Sequence, residues 1–306
     1  MPITRRRFIK LALSSAAAGL APAIPSRLWA AEPTPAAYPD LVAVRDGSPV
    51  RMFETGIQAL GGLSRFVRKG QTVLVKPNIG WDKTPTEGAN TNPELVGRIV
   101  KAAYEAGAKK VYCFDHGVNK EKACHKRSGI AAAVEANGGE MRSADKKSHY
   151  REVKLDGEVL KNVLVHKLYL DSDVVINVPI LKSHGGGRVT ASIKNLMGVV
   201  WDRRFWHRHG LHQAIGEFMQ VRKPDLNVLD AYLVMVNNGP RGVSTDDLLL
   251  KKMQLLSPDP VLADTAGAKV LDVPPENVKY LGIAQGLKLG TMDLKGSDIK
   301  RISLET

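Results

Sequence analysis

Continuous apolar runs of strand length alternate with amphipathic segments along most of the chain. Residues 72–76 (Thr-Val-Leu-Val-Lys) form one such run, broken at once by Pro77-Asn78, and residues 110–114 form the next. Between them, residues 93–106 place Leu95, Val96, Ile99, Val100 and Ala103 on one helical face, with Pro93 in the first turn and Gly107 at the stop. Residues 128–137 predict a further helix, ended by Gly138-Gly139. Strand, crossover helix, strand is the pattern of a parallel sheet covered by helices. Residues 150–165 alternate instead and contain Asp156-Gly157, a hairpin turn signal. Strands are predicted again at 173–179, 226–232 and 253–257, and a helix at 260–271. The expected class is α/β, a mostly parallel central sheet with helices on both faces and a small antiparallel insertion.

The N-terminus departs from this pattern. Thr4-Arg5-Arg6-Arg7-Phe8-Ile9-Lys10 has the order of a twin-arginine export signal, followed by a mildly apolar run at 11–20 that contains Ser14, Ser15 and Gly19. That run is too short to span a bilayer comfortably, and such signals are addresses rather than anchors. The expected organisation is a signal peptide at 1–31, a Pro/Ala-rich linker at 32–40 and a single α/β domain at 41–306. The expected compartment is the periplasm, with the twin-arginine translocase as a partner during export. Leu28 and Trp29 stand where a cleavage site prefers small residues, so a retained, membrane-associated leader stays open as an alternative.

The formal charge of +13 changes meaning once the leader is set aside. Its five basic residues and no acid leave 39 basic against 31 acidic positions, or about +8. That excess favours small anionic ligands. No basic run interleaved with aromatics is present, which argues against nucleic acid. Cys113 and Cys124 are too few for a disulfide scaffold or a four-thiolate cluster, and unpaired thiols are expected.

Polar clusters follow the predicted strands, where open α/β sheets place their ligands. Lys76 and Asn78 follow the first, Asp115 the second, Lys182-Ser183-His184-Gly185-Gly186-Gly187-Arg188 the third, and Asn238 the fourth. One shared pocket explains four clusters at the same kind of position. The glycines of the third cluster offer backbone N–H groups to an anion, although neither a Walker loop nor a dinucleotide fingerprint is present. Lys194 and Asn195 interrupt an otherwise small or apolar segment expected to be helical. His207, His209 and His212 invite a divalent metal, with Asp264 as a buried carboxylate in need of a partner, but their spacing fits no established zinc pattern.

Taken together, these residues resemble the domain-of-unknown-function 362 family over residues 42–304. The resemblance rests on Val75-Lys76-Pro77-Asn78, Thr91-Asn92-Pro93, Ala106-Gly107-Ala108 and Pro179-Ile180-Leu181-Lys182-Ser183-His184-Gly185-Gly186. It continues through Ile193-Lys194-Asn195-Leu196-Met197-Gly198, Phe205-Trp206-His207, Gly210-Leu211-His212-Gln213, Asn238-Gly239-Pro240 and Ser257-Pro258-Asp259-Pro260-Val261-Leu262-Ala263-Asp264. Some relatives carry a ferredoxin-like cysteine cluster. This chain has none, so the resemblance implies no iron–sulfur centre of its own, and it supplies no reaction.

The resulting expectation is an electropositive pocket that binds a small anion. His184, Lys182 and Lys194 are the catalytic candidates for proton transfer or isomerisation. Lys76, Asn78, Asp115, Gly185, Gly186, Arg188, Asn195 and Asn238 are the ligand-binding candidates. A metal or other cofactor of unassigned identity remains open, with His207, His212 and Asp264 as candidate metal ligands. So do a non-catalytic binding or cofactor-delivery protein and an accessory subunit of a redox complex. Replacing Arg5 and Arg6 with lysine is expected to strand the chain in the cytoplasm. Fractionation of cells with and without the translocase checks it, and unchanged periplasmic accumulation in its absence would refute export by this route.

Overall fold

The computed structural model describes residues 38–305, so the export motif at residues 4–10 and the rest of the leader lie outside the described residues. Strand β1 (Leu41–Arg45) and helix α1 (Pro49–Ala59) come first. They are followed by β2 (Thr72–Pro77), α2 (Pro93–Glu105), β3 (Lys110–Cys113), α3 (Glu121–Arg127), α4 (Ile130–Ala136) and β4 (Glu140–Met141). The middle of the chain forms β5 (Tyr150–Lys154), β6 (Asn162–His166), α5 (Lys167–Asp171), β7 (Val174–Val178), β8 (Ile180–His184) and β9 (Arg188–Thr190). Helices α6 (Ser192–Asn195), α7 (Arg203–His209) and α8 (Leu211–Phe218) precede β10 (Leu226–Met235) and β11 (Leu248–Ser257). Helices α9 (Pro260–Val270) and α10 (Lys279–Gly286) and strand β12 (Ile299–Ser303) complete the fold.

The main sheet runs β12-β1-β11-β10-β7-β2-β3-β4, with β8 joined to the far part of β10 and β9 joined to β8. Pairings among β4, β3, β2, β7 and β10 are parallel, as are β8–β10 and β1–β12. Strand β11 runs antiparallel to both β10 and β1. Strands β5 and β6 form a separate antiparallel pair, with Asp156-Gly157 in their connection. The expected class and the small antiparallel insertion are both present.

Strand periodicity explains the two layers of helices. Val73 and Val75 of β2 face one apolar cluster with Met52 and Phe53 of α1 and Val96 and Ile99 of α2. Leu74 faces the opposite cluster, with Trp206 of α7, Phe218 of α8, Leu262 of α9 and Tyr280 of α10. Local chemistry sets the helix starts. Pro93 opens α2 behind the Asn92 side chain, which accepts the Leu95 N–H at 3.1 Å, and the Asp259 carboxylate accepts the Val261 and Leu262 N–H groups before α9. Cys113 and Cys124 are buried free thiols. Among the described residues no helix is long and apolar enough to cross a membrane.

Two segments differ from the sequence expectation. The Lys182–Arg188 cluster is not a loop before a helix. Lys182, Ser183 and His184 belong to β8, which pairs with β9 as a hairpin whose tip holds Gly185 and Gly186. Pro179 lacks an N–H and separates β7 from β8, while its carbonyl accepts the Asp230 N–H at 2.8 Å. The predicted helix after Thr190 is shorter, one turn of α-helix at α6 followed by a 3-10 turn at Leu196–Val199.

A buried carboxylate ties the β5–β6 connection to the main body. Glu217 of α8 is 1% exposed and accepts the N–H groups of Glu158 (2.5 Å), Val159 (3.1 Å) and Leu160 (2.8 Å), with the Gln213 amide at 2.9 Å. A Cβ on Gly157 would strike this carboxylate. Glu217→Ala strands three amides and is expected to cost about 2–4 kcal/mol of stability, read as the shift in urea midpoint. A change below about 0.5 kcal/mol would show that water replaces the carboxylate without penalty.

Candidate functional site

The carboxyl ends of β2 and β3, together with β8, α6 and α7, enclose a cavity of about 300 Å³. Asn78, Asp115, Lys182, His184, Lys194, Asn195 and His207 line it, and so do Arg203, Trp81 and Pro240. Seven residues singled out from sequence therefore meet at one place: the shared position after strands accounts for Asn78, Asp115, Lys182 and His184, while Lys194, Asn195 and His207 reach it from α6 and α7.

Two lysines near this cavity differ in their partners. Lys76 is fully buried beneath it, and its ammonium donates to Asp115 Oδ1 (2.7 Å), the Pro77 carbonyl (2.8 Å) and Asn195 Oδ1 (3.1 Å). All three N–H groups are used, so Lys76 is committed to the framework and not to a ligand. Burial lowers its pKa, while the Asp115 carboxylate works against that pull. Asp115 Oδ2 in turn accepts the Ile79 N–H at 2.7 Å. Gly198 lies over the pair so closely that a Cβ there would overlap Asp115 Oδ1 and come within 2.7 Å of Lys76 Nζ.

Lys182 has no acid. Its Nζ donates to the Ala89 carbonyl at 2.8 Å and to Asn78 Oδ1 at 3.2 Å, both neutral acceptors. Burial draws its pKa down to about 7, and the nearby Lys194 charge adds to the effect. Lys194 lines the cavity without a hydrogen bond or ion pair among the described residues. Burial, then the charge of Arg203, brings it down to about 8. Gly187 packs closely on this side chain, and a Cβ there would meet Lys194 Cε at 2.9 Å and displace the lysine stem. Arg203, at the start of α7, donates to the carbonyls of His116 and Gly117.

His184, a candidate for proton transfer, is held in one tautomer by the hairpin backbone. Its Nδ1 accepts the Gly187 N–H at 2.9 Å, which leaves the proton of the neutral ring on Nε2. Burial first, then the charges of Lys194, His207 and Lys182, push its pKa down to about 3, so the ring is neutral and a hydrogen-bond donor through Nε2. His207 stacks on it with ring centroids 6.5 Å apart, and burial lowers its pKa as well.

An amide chain supports the floor. Asn78 Nδ2 donates to Asn195 Oδ1 (3.0 Å), Asn195 Nδ2 to Asn177 Oδ1 (2.9 Å) and Asn177 Nδ2 to Asn227 Oδ1 (3.0 Å). Asn227 ends the chain on the Ser257 carbonyl at 3.3 Å. Asn177 and Asn227 were not anticipated. Their signal was available, since an asparagine inside an otherwise apolar buried strand must find partners. Arg203 and Trp81 gave no comparable signal, while Pro240 belongs to the Asn238-Gly239-Pro240 segment of the family resemblance.

Several expected site residues lie elsewhere. Gly185, Gly186 and Arg188 are exposed on the hairpin and do not line the cavity; Gly187 is the glycine that packs against it. Asn238 donates to Asp247 Oδ1 at 2.6 Å instead, and its neighbour Pro240 reaches the cavity. His207, His212 and Asp264 do not assemble a metal centre: no group of three candidate ligands exists among the described residues. The Asp264 carboxylate accepts the Ser192 (2.5 Å) and Ile193 (2.9 Å) N–H groups, which fixes the turn carrying Lys194 and Asn195. His212 stacks on Tyr280 at 6.1 Å and His209 on Phe205 at 4.1 Å.

The lysine chemistry has a consequence for stability. An unfolded lysine titrates near about 10.4, so between about 7 and 10.4 the unfolded chain keeps a proton that folded Lys182 has released. Stability therefore rises with pH from about 7, until the buried thiols, whose pKa values are raised, oppose it above about 8.5. Urea denaturation of the unliganded protein is expected to show this rise between about pH 7 and 8.5, and Lys182→Met to reduce it, the remainder coming from Lys194, which burial brings down to about 8. An equal slope in the variant would mean that Lys182 stays protonated in the fold.

Comparison with known proteins places the cavity in a family context. A family profile described as Domain of unknown function (DUF362) matches residues 73–269, more than half of the chain and a span that contains every residue lining the cavity. A thylakoid-associated protein of Synechocystis sp. is 27% identical over 259 residues, covering 79% of this chain and 76% of that protein. Among solved structures, the lactate racemase apoprotein from Thermoanaerobacterium thermosaccharolyticum is similar with a TM-score of 0.49 and 10% identity, over 75% of this chain and 56% of its own. A protein from Thermotoga maritima is similar with a TM-score of 0.44 and 11% identity, over 79% and 60%. The chain thus spans less than two thirds of either solved structure. The family match, read with the cavity it encloses, shows that the chain belongs to the family described as Domain of unknown function (DUF362).

Proposed function

We propose that this is an exported protein that binds a small organic anion in the cationic cavity and acts on it by proton transfer. One observation carries the reading. Lys194 and Arg203 line a single cavity whose one lining acid, Asp115, is already paired with Lys76. Cations without counter-charges in a low-dielectric cavity favour an anionic ligand strongly. The volume of about 300 Å³ suits a small acid.

The side chains divide the work. Lys194 and Arg203 hold the ligand's negative charge. His184, protonated at Nε2, donates to a ligand oxygen. Lys182 is the base: as a neutral amine it directs two N–H groups to Ala89 and Asn78, and its lone pair takes the remaining direction. A pKa of about 7 lets it accept and return a proton near neutrality. The twin-arginine motif supports the export half of the proposal. Retention or removal of the leader separates a tethered from a free periplasmic protein, and the mass of the mature chain reads it.

Calorimetry with small mono- and dicarboxylates and inorganic phosphate tests the binding half. Lys194→Ala is expected to weaken every ligand that binds by about tenfold or more, the worth of one charge-assisted hydrogen bond. Wild-type affinity should fall as pH rises through about 8, where Lys194 loses its charge. Equal affinities for wild type and variant at all pH values would overturn the reading.

A further inference from the structure

Anion binding alone does not account for the contrast between Lys76 and Lys182. Both are buried at the same end of the sheet, and both have a cavity acid within the same constellation. Only Lys76 is paired with it. Lys182 is given two neutral acceptors, a backbone carbonyl and an asparagine oxygen, and it borders the cavity that Lys76 does not reach. Neutral acceptors of this kind satisfy both N–H groups of an uncharged amine and orient its lone pair. A second cation is brought up beside it, since Gly187 leaves room for the Lys194 stem. Desolvation and an adjacent cation are the two means by which a lysine is made a nucleophile near neutral pH.

We propose that Lys182 is a covalent nucleophile that forms an imine with a small 2-oxo acid, whose carboxylate rests on Lys194 and Arg203. This assignment rests on the anion-binding reading above and names its substrate class. The amine nitrogen adds to the carbonyl carbon, forming a C–N bond and a carbinolamine. The C–O bond then breaks, and the oxygen leaves as water with the two hydrogens the amine has lost. No oxidant, reductant or metal enters the balance. Protonation of the imine nitrogen from solvent gives an iminium, which withdraws electrons from the neighbouring carbon and makes its C–H bond acidic. Proton transfer at that carbon is then the chemistry of the bound adduct. A neutral ketone lacks the group that Lys194 and Arg203 hold, so the cavity is expected to select the oxo acid over it.

Reductive trapping tests the assignment on the full mature chain. The protein is incubated with pyruvate or glyoxylate and cyanoborohydride near pH 7.5, then measured by intact mass and peptide mapping. The expected result is one reduced adduct per chain, located on Lys182, with acetone captured about tenfold less at equal concentration. Lys194→Ala should reduce that preference, Arg203 still holding part of the charge, and slow capture near pH 7.5, with the adduct that forms still mapped to Lys182. Lys182→Arg and Lys182→Met, each checked for native circular dichroism, should give none. Because the map is made on the wild-type chain, misfolding of a variant does not obscure the answer. Adducts scattered over surface lysines, or no adduct while calorimetry shows that pyruvate or glyoxylate binds, would overturn the nucleophile assignment alone. Failure of every carboxylate and phosphate to bind would overturn the anion reading and this inference with it.

Discussion

Burying lysines at the ends of parallel strands is the constraint around which this structure is arranged. A desolvated ammonium needs acceptors, and strand backbones already spend their carbonyls on the sheet. The fold meets the need with side-chain amides. Asn78, Asn195, Asn177 and Asn227 come from the end of β2, α6, β7 and β10, and each of the first three donates its Nδ2 to the Oδ1 of the next. The chain has a direction: its oxygen ends face Lys182 and Lys76, and its donor end faces the Ser257 carbonyl. Aligned amide dipoles polarise one another, so the network stabilises positive charge more than isolated amides would.

Backbone proximity is the second requirement, and glycine supplies it at two places. Gly198 admits the Asp115–Lys76 pair against its Cα, and Gly187 admits Lys194. Asp264 completes the arrangement from beneath. It is a buried carboxylate whose pKa burial raises to about 7 against the pull of two amides, and it holds the turn that carries both Lys194 and Asn195. A residue that looks from its sequence setting like a candidate metal ligand thus acts through the backbone on two cavity residues it does not itself join.

The parts of this fold that follow from periodicity were legible in the sequence. β2, α2, β3, β7 and α9 lie where apolar runs and helical faces put them, because each element buries a contiguous surface. The convergence of Asn78, Asp115, Lys182 and His184 was legible too, since parallel strands deliver their C-terminal residues to one edge. Hydrogen-bond direction was not. Only the geometry of Gly187 and His184 fixes the imidazole proton on Nε2, and only the contact with Asp115 turns Lys76 from ligand-binder to framework. Three successive glycines are a poor strand signal, so the β8–β9 hairpin is hidden in the sequence. In the structure Gly185 and Gly186 form its tip, and Gly187 lies just before β9.

Under the proposed function, the cavity is less stable empty than filled by its anion. The Lys194 pKa is lowered because the folded protein resists its charge, and an anion held on Lys194 and Arg203 removes that resistance. Ligand binding and fold stability are therefore linked, with the filled state favoured by mass action. The same residues could not be replaced by better-paired ones without losing the site: an acid beside Lys182 would secure its charge, as Asp115 does for Lys76, and would end its life as a neutral amine. The proposed export route gives the linkage a place to act. A chain exported in the folded state can bind its ligand before it is translocated.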